Sequence, residues 1–463
     1  MYKLKFTLRQ QTPLIHFQHD QAGATLRATE VKPKLDRFII EKLTGLHGED
    51  AFDAFKANAE WKKWLVGKGE HPALDYKMRI IHSGSTDYFL PLALSLYSRN
   101  YPNKENNLIR YLNRNINKTV NIIAPSPFFA NSDKIKFMQN TDQVDEVNTK
   151  LDELNFALMT NDNISLSIFL SHEGLKKELE SLIQHFFHVE NFGMRQSKGF
   201  GSFILLSDNN LQKFDSSILK CYQIESVYQK TMPNTSINNI FNDINKTWKI
   251  IKAGNSHGGY QKSDIFNYFY HKSTPIRWEK RVIKKILKSN YPVVFNELKY
   301  DRDQSENRIL IEGDPDTNQF YVRALLGLAE HFEFGTSNYR NKVKIKVSDR
   351  LSSSISTSEI SIDRFRSPIT FKIIGDTIFL IAHQTNPLLV RDKNGGDREF
   401  EFYLDAKING NDHNGIINRL KIPSSFSVSN FLDSDKYDTA TGKPKLKNGI
   451  KLSVAESFGF TKI

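Results

Sequence analysis

Three glycines, Gly193, Gly199 and Gly201, bracket Arg195 and Lys198 in the stretch FGMRQSKGFGSF. Glycine reaches positive φ without steric cost, so such a loop can turn backbone N–H groups toward an anion at close approach. The Arg195 guanidinium can fork onto phosphate oxygens, and Lys198 adds a point charge. This is chemistry for holding phosphate. The same residues also fit a helix C-cap at Gly193 followed by a bulged strand start, with two solvated charges.

Other groupings could do chemistry. His16 and His19, beside Asp20, could serve as base and acid of a metal-free ribonuclease, since imidazole titrates near neutral pH. A polar loop with two ordinary histidines is the favoured reading, because nothing in the sequence fixes the third group or the oxyanion donor that the chemistry needs. His185 and His188 stand three apart, but no carboxylate at matching spacing completes a metal site, so they read as histidines at the negative end of a helix. In WKIIKAGNSHGGYQKSD, Lys252, Tyr260 and Lys262 interleave cations with an aromatic ring, a composition that suits single-stranded RNA or a plain basic loop. RWEKRVIKKILK carries a strongly basic helical face, and LSSSISTSEIS is a serine-rich segment expected to order only under a partner.

The surrounding elements narrow the glycine loop. GLKKELESLIQHFF places Leu175, Leu179, Leu182, Ile183 and Phe186 on one helical face before the loop, and SFILL reads as a strand after it. A nucleotide-binding phosphate loop needs the opposite order, strand then glycines then helix, so that a helix N-terminus faces the anion. ATP or NAD binding is therefore not expected here, and no cofactor or metal is.

Earlier in the chain, Tyr2, Leu4, Phe6 and Leu8 alternate with Lys3, Lys5, Thr7 and Arg9 as in a strand with one buried face. PKLDRFIIEKLTGL has helical spacing, with Pro33 near its start and Gly45 near its end. DYKMRIIH and ISLSIFLS read as strands, while residues 98–163 read as a loop-dominated insertion. The second half repeats such pieces: the helix RWEKRVIKKILK, strands NRILIEG and KVKIKV with a helix FYVRALLGLAEHF between them, and a hairpin PITFKIIGDTIFLIA turning at Gly375-Asp376.

These patterns predict an α+β chain of two ferredoxin-like, β-α-β-β-α-β modules with elaborated loops. The expected modules span residues 1–215 and 240–463, joined where the pattern dilutes between Asp208 and Asn245.

The whole chain has 463 residues, long enough for two cores, with Lys plus Arg at 64 against Asp plus Glu at 52 for a net charge of +12. That bias favours a polyanionic partner, nucleic acid ahead of a membrane surface. The single cysteine, Cys221, cannot form an internal disulfide, and no basic tip with an apolar run opens the chain. A cytoplasmic protein without membrane attachment is the expectation.

The helix followed by RQSKGFGSF and a strand resembles the glycine loop of the RAMP superfamily of CRISPR-associated RNA-binding proteins. TPLIHFQHDQAGATLRATEVKPKLDRFI is similar to the opening of the first RAMP subunit of the Cmr, or type III-B, effector complex. RALLGLAEHF and RFRSPITFKI resemble segments in the second half of that family. The resemblance implies a non-catalytic subunit in antiviral defence that contacts guide RNA or target RNA beside other RAMP subunits. It also implies RNA contacts at Arg27, Lys32, Lys34 and Arg37 around the first helix, and at Arg195, Lys198, Gly199 and Gly201 in the loop. The competing expectation is a metal-independent endoribonuclease that processes guide-RNA precursor through His16 or His19.

Overall fold

In a computed structural model the described residues are 1–16, 26–67, 73–82, 84–91, 120–123, 156–207, 210–211, 224–254, 261–271, 277–298, 319–328, 331–338, 341–348, 365–391, 397–438 and 441–463. The fold is mixed α+β, with several small sheets. It divides into two compact units: Met1–Lys246 with Thr370–Ile381 and Phe460–Ile463, and Thr247–Ile369 with Ala382–Gly459.

The first unit contains strands β1 (Tyr2–Gln10), β2 (Leu14–Ile15), β3 (Tyr76–Ile81), β4 (Asp87–Pro91), β5 (Val120–Ile123), β6 (Ala157–Met159), β7 (Ile164–Leu170), β8 (Phe203–Ser207), β9 (Asn210–Leu211) and β10 (Ile224–Thr231). To these the distant hairpin β11 (Ile369–Ile374) and β12 (Thr377–His383) is added, with β13 (Thr461–Lys462). The main sheet runs β9-β8-β1-β7-β3, and its β8-β1, β1-β7 and β7-β3 pairs are antiparallel. A second sheet runs β11-β12-β10-β13, and a third β2-β6-β4-β5.

Helices α1 (Ala28–Thr44) and α3 (Glu173–Val189) supply the core that the main sheet needs; α2 (Gly48–Ala57) follows α1. Leu4 and Leu8 of β1, Leu166 and Ile168 of β7, Leu35 and Ile39 of α1, and Leu179 and Phe186 of α3 form one buried cluster. Burying each such side chain contributes about 1.5–3 kcal/mol, so this cluster orients the sheet. Gly45 ends α1 in the left-handed region, φ 70, where its N–H bonds the Glu41 carbonyl.

Several sequence expectations are corrected. α1 begins at Ala28, which places Pro33 inside the helix rather than at its start. Gly193 does not close α3, which ends at Val189 with Glu190 extended. Residues 98–163 contribute strands β5 and β6, and the stretch read as a dilute joint contains β10 and the start of α4 (Ile237–Lys252). The predicted helix FYVRALLGLAEHF is a strand at Gln319–Phe320, a short 3-10 turn Val322–Leu326 and a strand His331–Phe334. Every residue of that turn is buried, so the apolar run fills a core instead of one helical face, and Gly327 at φ 104 ends it. NRILIEG, LSSSISTSEIS and most of residues 98–163 lie outside the described residues.

In the second unit the strand order is Arg277–Trp278, Gln319–Phe320, Asn411–Lys421, Glu399–Ile408, Lys342–Ser348 and His331–Phe334. Its long hairpin turns at Asn409-Gly410, both at positive φ, the geometry a tight two-residue turn requires. α5 (Asp264–Tyr270) and α6 (Glu279–Asn290) precede that hairpin, and the α6 residue Glu279 is buried against Arg323.

Candidate functional site

The glycine loop lies between α3 and β8 and is bonded from all sides. Gly193 N–H donates to the Glu30 carboxylate of α1, Met194 N–H to the Ile15 carbonyl at 2.8 Å, and Gly201 N–H to the Pro13 carbonyl at 2.9 Å. Gly199 N–H bonds the Gln196 carbonyl, while its own carbonyl accepts from the Thr12 hydroxyl at 2.7 Å. The glycine N–H groups are thus used inside the protein, contrary to the expected cradle of outward amides. Glycine is needed for close approach: a Cβ on Gly201 would stand 2.0 Å from the Phe192 carbonyl, and one on Gly193 2.3 Å from that of Ile15.

Arg195 and Lys198 are carried on this fixed backbone. Arg195 is held at φ 58, in the left-handed region, at a cost of about 1–2 kcal/mol for a residue with a Cβ. The Lys198 N–H bonds the Arg195 carbonyl at 2.8 Å, closing the turn. Burial pushes the Arg195 guanidinium down to about 10, still cationic at neutral pH; Arg195 and Lys198 are half-buried, with Arg195 Nε and Lys198 Nζ turned away from solvent.

Lys34 belongs to the same neighbourhood but serves the loop. Its ammonium donates to Gln196 Oε1 at 2.6 Å and to the Asn191 carbonyl at 2.7 Å, and pairs with Glu190 at 3.4 Å. Lys32 is similarly engaged with Asp36 at 2.8 Å and the Leu74 carbonyl at 2.9 Å, over the Tyr76 ring. Arg37 is exposed on α1, and Arg27 is the N-cap residue of that helix.

Lys252 and Lys262 lie in the second unit. Lys252 Nζ donates to the Gly327 carbonyl at 2.5 Å; burial, with Arg323 adding repulsion, pushes it down to about 7. Lys262 sits 4.5 Å from the Tyr270 ring centre. His19 and Tyr260 lie outside the described residues.

His16 is 6% exposed. His188 is fully buried near the end of α3. Among the described residues no group of three His, Cys, Asp or Glu is placed to hold a metal ion, and no helix is long and apolar enough to cross a membrane.

Sequence reading missed the residues that build the loop. Asn191 Nδ2 bridges the Gln196 and Phe371 carbonyls at 2.7 and 2.8 Å, and Ser202 Oγ donates to the Ile373 carbonyl at 2.7 Å. Lys372 on β11, wholly buried, donates to the carbonyls of Glu190 at 2.8 Å and Phe203 at 2.9 Å. One signal was available: Lys372 is the single charge in the apolar run ITFKII.

The Cmr1 N-terminal domain family model matches residues 1–255, and the Cmr1 C-terminal domain model matches residues 260–455. No curated protein and no solved structure matches the chain.

Proposed function

The chain belongs to the Cmr1 family of RAMP subunits of the type III-B Cmr complex, and from that premise we propose that it binds RNA there and performs no chemistry of its own. In this reading guide RNA and target RNA are its nucleic-acid partners and other RAMP subunits its neighbours. The first unit is read as a ferredoxin-like module, supported by the strand order β8-β1-β7-β3, with α1 between β1 and β3 and α3 between β7 and β8. The sheet order of the second unit gives no second copy of that order among the described residues.

The observation that carries RNA binding is Arg195, a cation kept in a disfavoured backbone conformation by bonds on both sides of it. Strain of this kind persists where the surrounding structure over-determines it, and it fixes the direction in which the Arg195 side chain leaves the backbone, a side chain suited to phosphate. The absence of catalysis is supported by the burial of His16, since a general base must reach the proton it takes.

Replacing Arg195 and Lys198 together by alanine tests the loop. If each meets one phosphate, affinity for single-stranded guide-like RNA falls about tenfold, and the slope of log affinity against log salt shrinks by about 1.4. Unchanged binding by a variant with wild-type thermal unfolding refutes the assignment. For catalysis, repeat-containing RNA incubated with the chain in chelator stays intact; specific cleavage lost in His16→Ala overturns that part.

A further inference from the structure

The main sheet of the first unit has a second face that the loop does not use. Antiparallel partners point their side chains the same way, so the pairings place Lys3, Phe169 and Lys77 in one row across β1, β7 and β3. Lys5, Ser167 and Arg79 form the next row, then Thr7, Ser165 and Ile81. Leu4, Leu8, Leu166 and Ile168, at the intervening positions, point into the core under α1 and α3. Lys3, Lys5, Lys77, Arg79 and Ser165 are all exposed.

Within these strands the face carries cations and no carboxylate; Asp75 stands at its edge, one residue before β3, where the Ser171 hydroxyl and His172 face it. With Arg9 at the end of β1, five of its ten residues are basic and none acidic. Toward β8 the same face is closed, where Ile204 packs with Val227, Phe379 and Ile381. Between the basic flanks lies the partly exposed Phe169 ring, with Lys3 Nζ 5.1 Å from its centre. Strands stand about 4.8 Å apart, which puts the β1 and β3 cations on either side of one ring.

We propose that this open face of β1, β7 and β3 is a binding platform for single-stranded RNA, with a base on Phe169 and phosphates over Lys3, Lys5, Lys77 and Arg79. A ring accepts any base by stacking, and flanking cations take the backbone, so the platform is indifferent to sequence. The Ser167 hydroxyl next to the ring is placed to bond a ribose. The proposal rests on the RNA-binding reading of the chain and adds a surface to it, distinct from the Arg195 loop.

The test uses the full chain and a fluorescein-labelled oligouridylate of roughly a dozen nucleotides, a length one such platform can cover. Lys5→Gln with Arg79→Gln, both at exposed positions, weakens binding about tenfold and reduces the salt slope by about 1.4. Phe169→Leu weakens it about tenfold with the slope unchanged, which a purely electrostatic surface would not show. Unaltered affinity in both variants, while the Arg195→Ala, Lys198→Ala protein is impaired, overturns the platform and leaves the RNA reading standing. No binding by the wild type overturns both. Loss of a neighbouring subunit from the assembled complex, with RNA affinity intact, also overturns the platform and makes the face a protein contact.

Discussion

Lys372→Met removes one buried amino group from β11 and leaves the side chain's volume nearly intact. The wild-type Nζ satisfies the Glu190 and Phe203 carbonyls, the first just past α3 and the second at the start of β8. Each buried acceptor left unbonded costs about 1–3 kcal/mol, so the variant should lose about 2–4 kcal/mol at high pH, once relaxation is allowed for. Burial pushes Lys372 well below the usual lysine range; Glu190 opposes this and Lys34 adds to it. Between that lowered value and about 10.4 the unfolded chain holds a proton that the folded one lacks, so wild-type stability rises with pH. The methionine variant lacks this contribution, and its deficit relative to wild type should therefore widen from pH 7 toward pH 10. The slope is at most about 1.4 kcal/mol per pH unit. Urea midpoints at three pH values, with hydrogen exchange across residues 369–383, measure the gap. A deficit that stays flat or narrows with pH, or a variant as stable as wild type at pH 10, refutes the reasoning.

Two other substitutions test the packing. Gly201→Ala places a Cβ 2.0 Å from a backbone oxygen at φ +66, and should cost more than about 3 kcal/mol; Gly375→Ala, at φ +59 with nothing within 4 Å, should cost about 1 kcal/mol. Equal thermal shifts in the two would show that the close approach is relieved by movement of the loop. Arg323→Met removes the guanidinium paired with the fully buried Glu279 carboxylate, leaving it to Lys252 and Lys280 nearby, and should cost about 3 kcal/mol, most of it recovered when Glu279→Gln is added. A double variant no more stable than the single one would refute that pairing.

The periodic elements were legible because their signal is local. Alternation in YKLKFTLR and ISLSIFLS, and helical spacing in GLKKELESLIQHFF, report which face is buried, whatever buries it. The hairpin at Gly375-Asp376 was legible for the same reason: the turn chemistry lies within the two residues. VRALL deceived because an apolar run filling a core on all sides has no period to distinguish helix from turn. The Asn409-Gly410 turn was available in the string and unread.

At the candidate site the sequence supplied residue types, and the tertiary structure decided their work. Arg195 and Lys198 could be named from composition, but whether a glycine N–H faces an anion depends on acceptors such as Glu30, 163 positions away. Lys34 was expected at an RNA contact and Lys372 was not singled out, because a lysine is buried only where carbonyls gather to receive it. For Lys372 those carbonyls lie 182 and 169 residues distant in sequence. The open face of β1, β7 and β3 is divided in the same way. Alternation alone separated Lys3 and Lys5 from the core, and only the register between distant strands set Phe169, Lys77 and Arg79 beside them. Periodicity is a property of neighbours along the chain, whereas a site is made by neighbours across it.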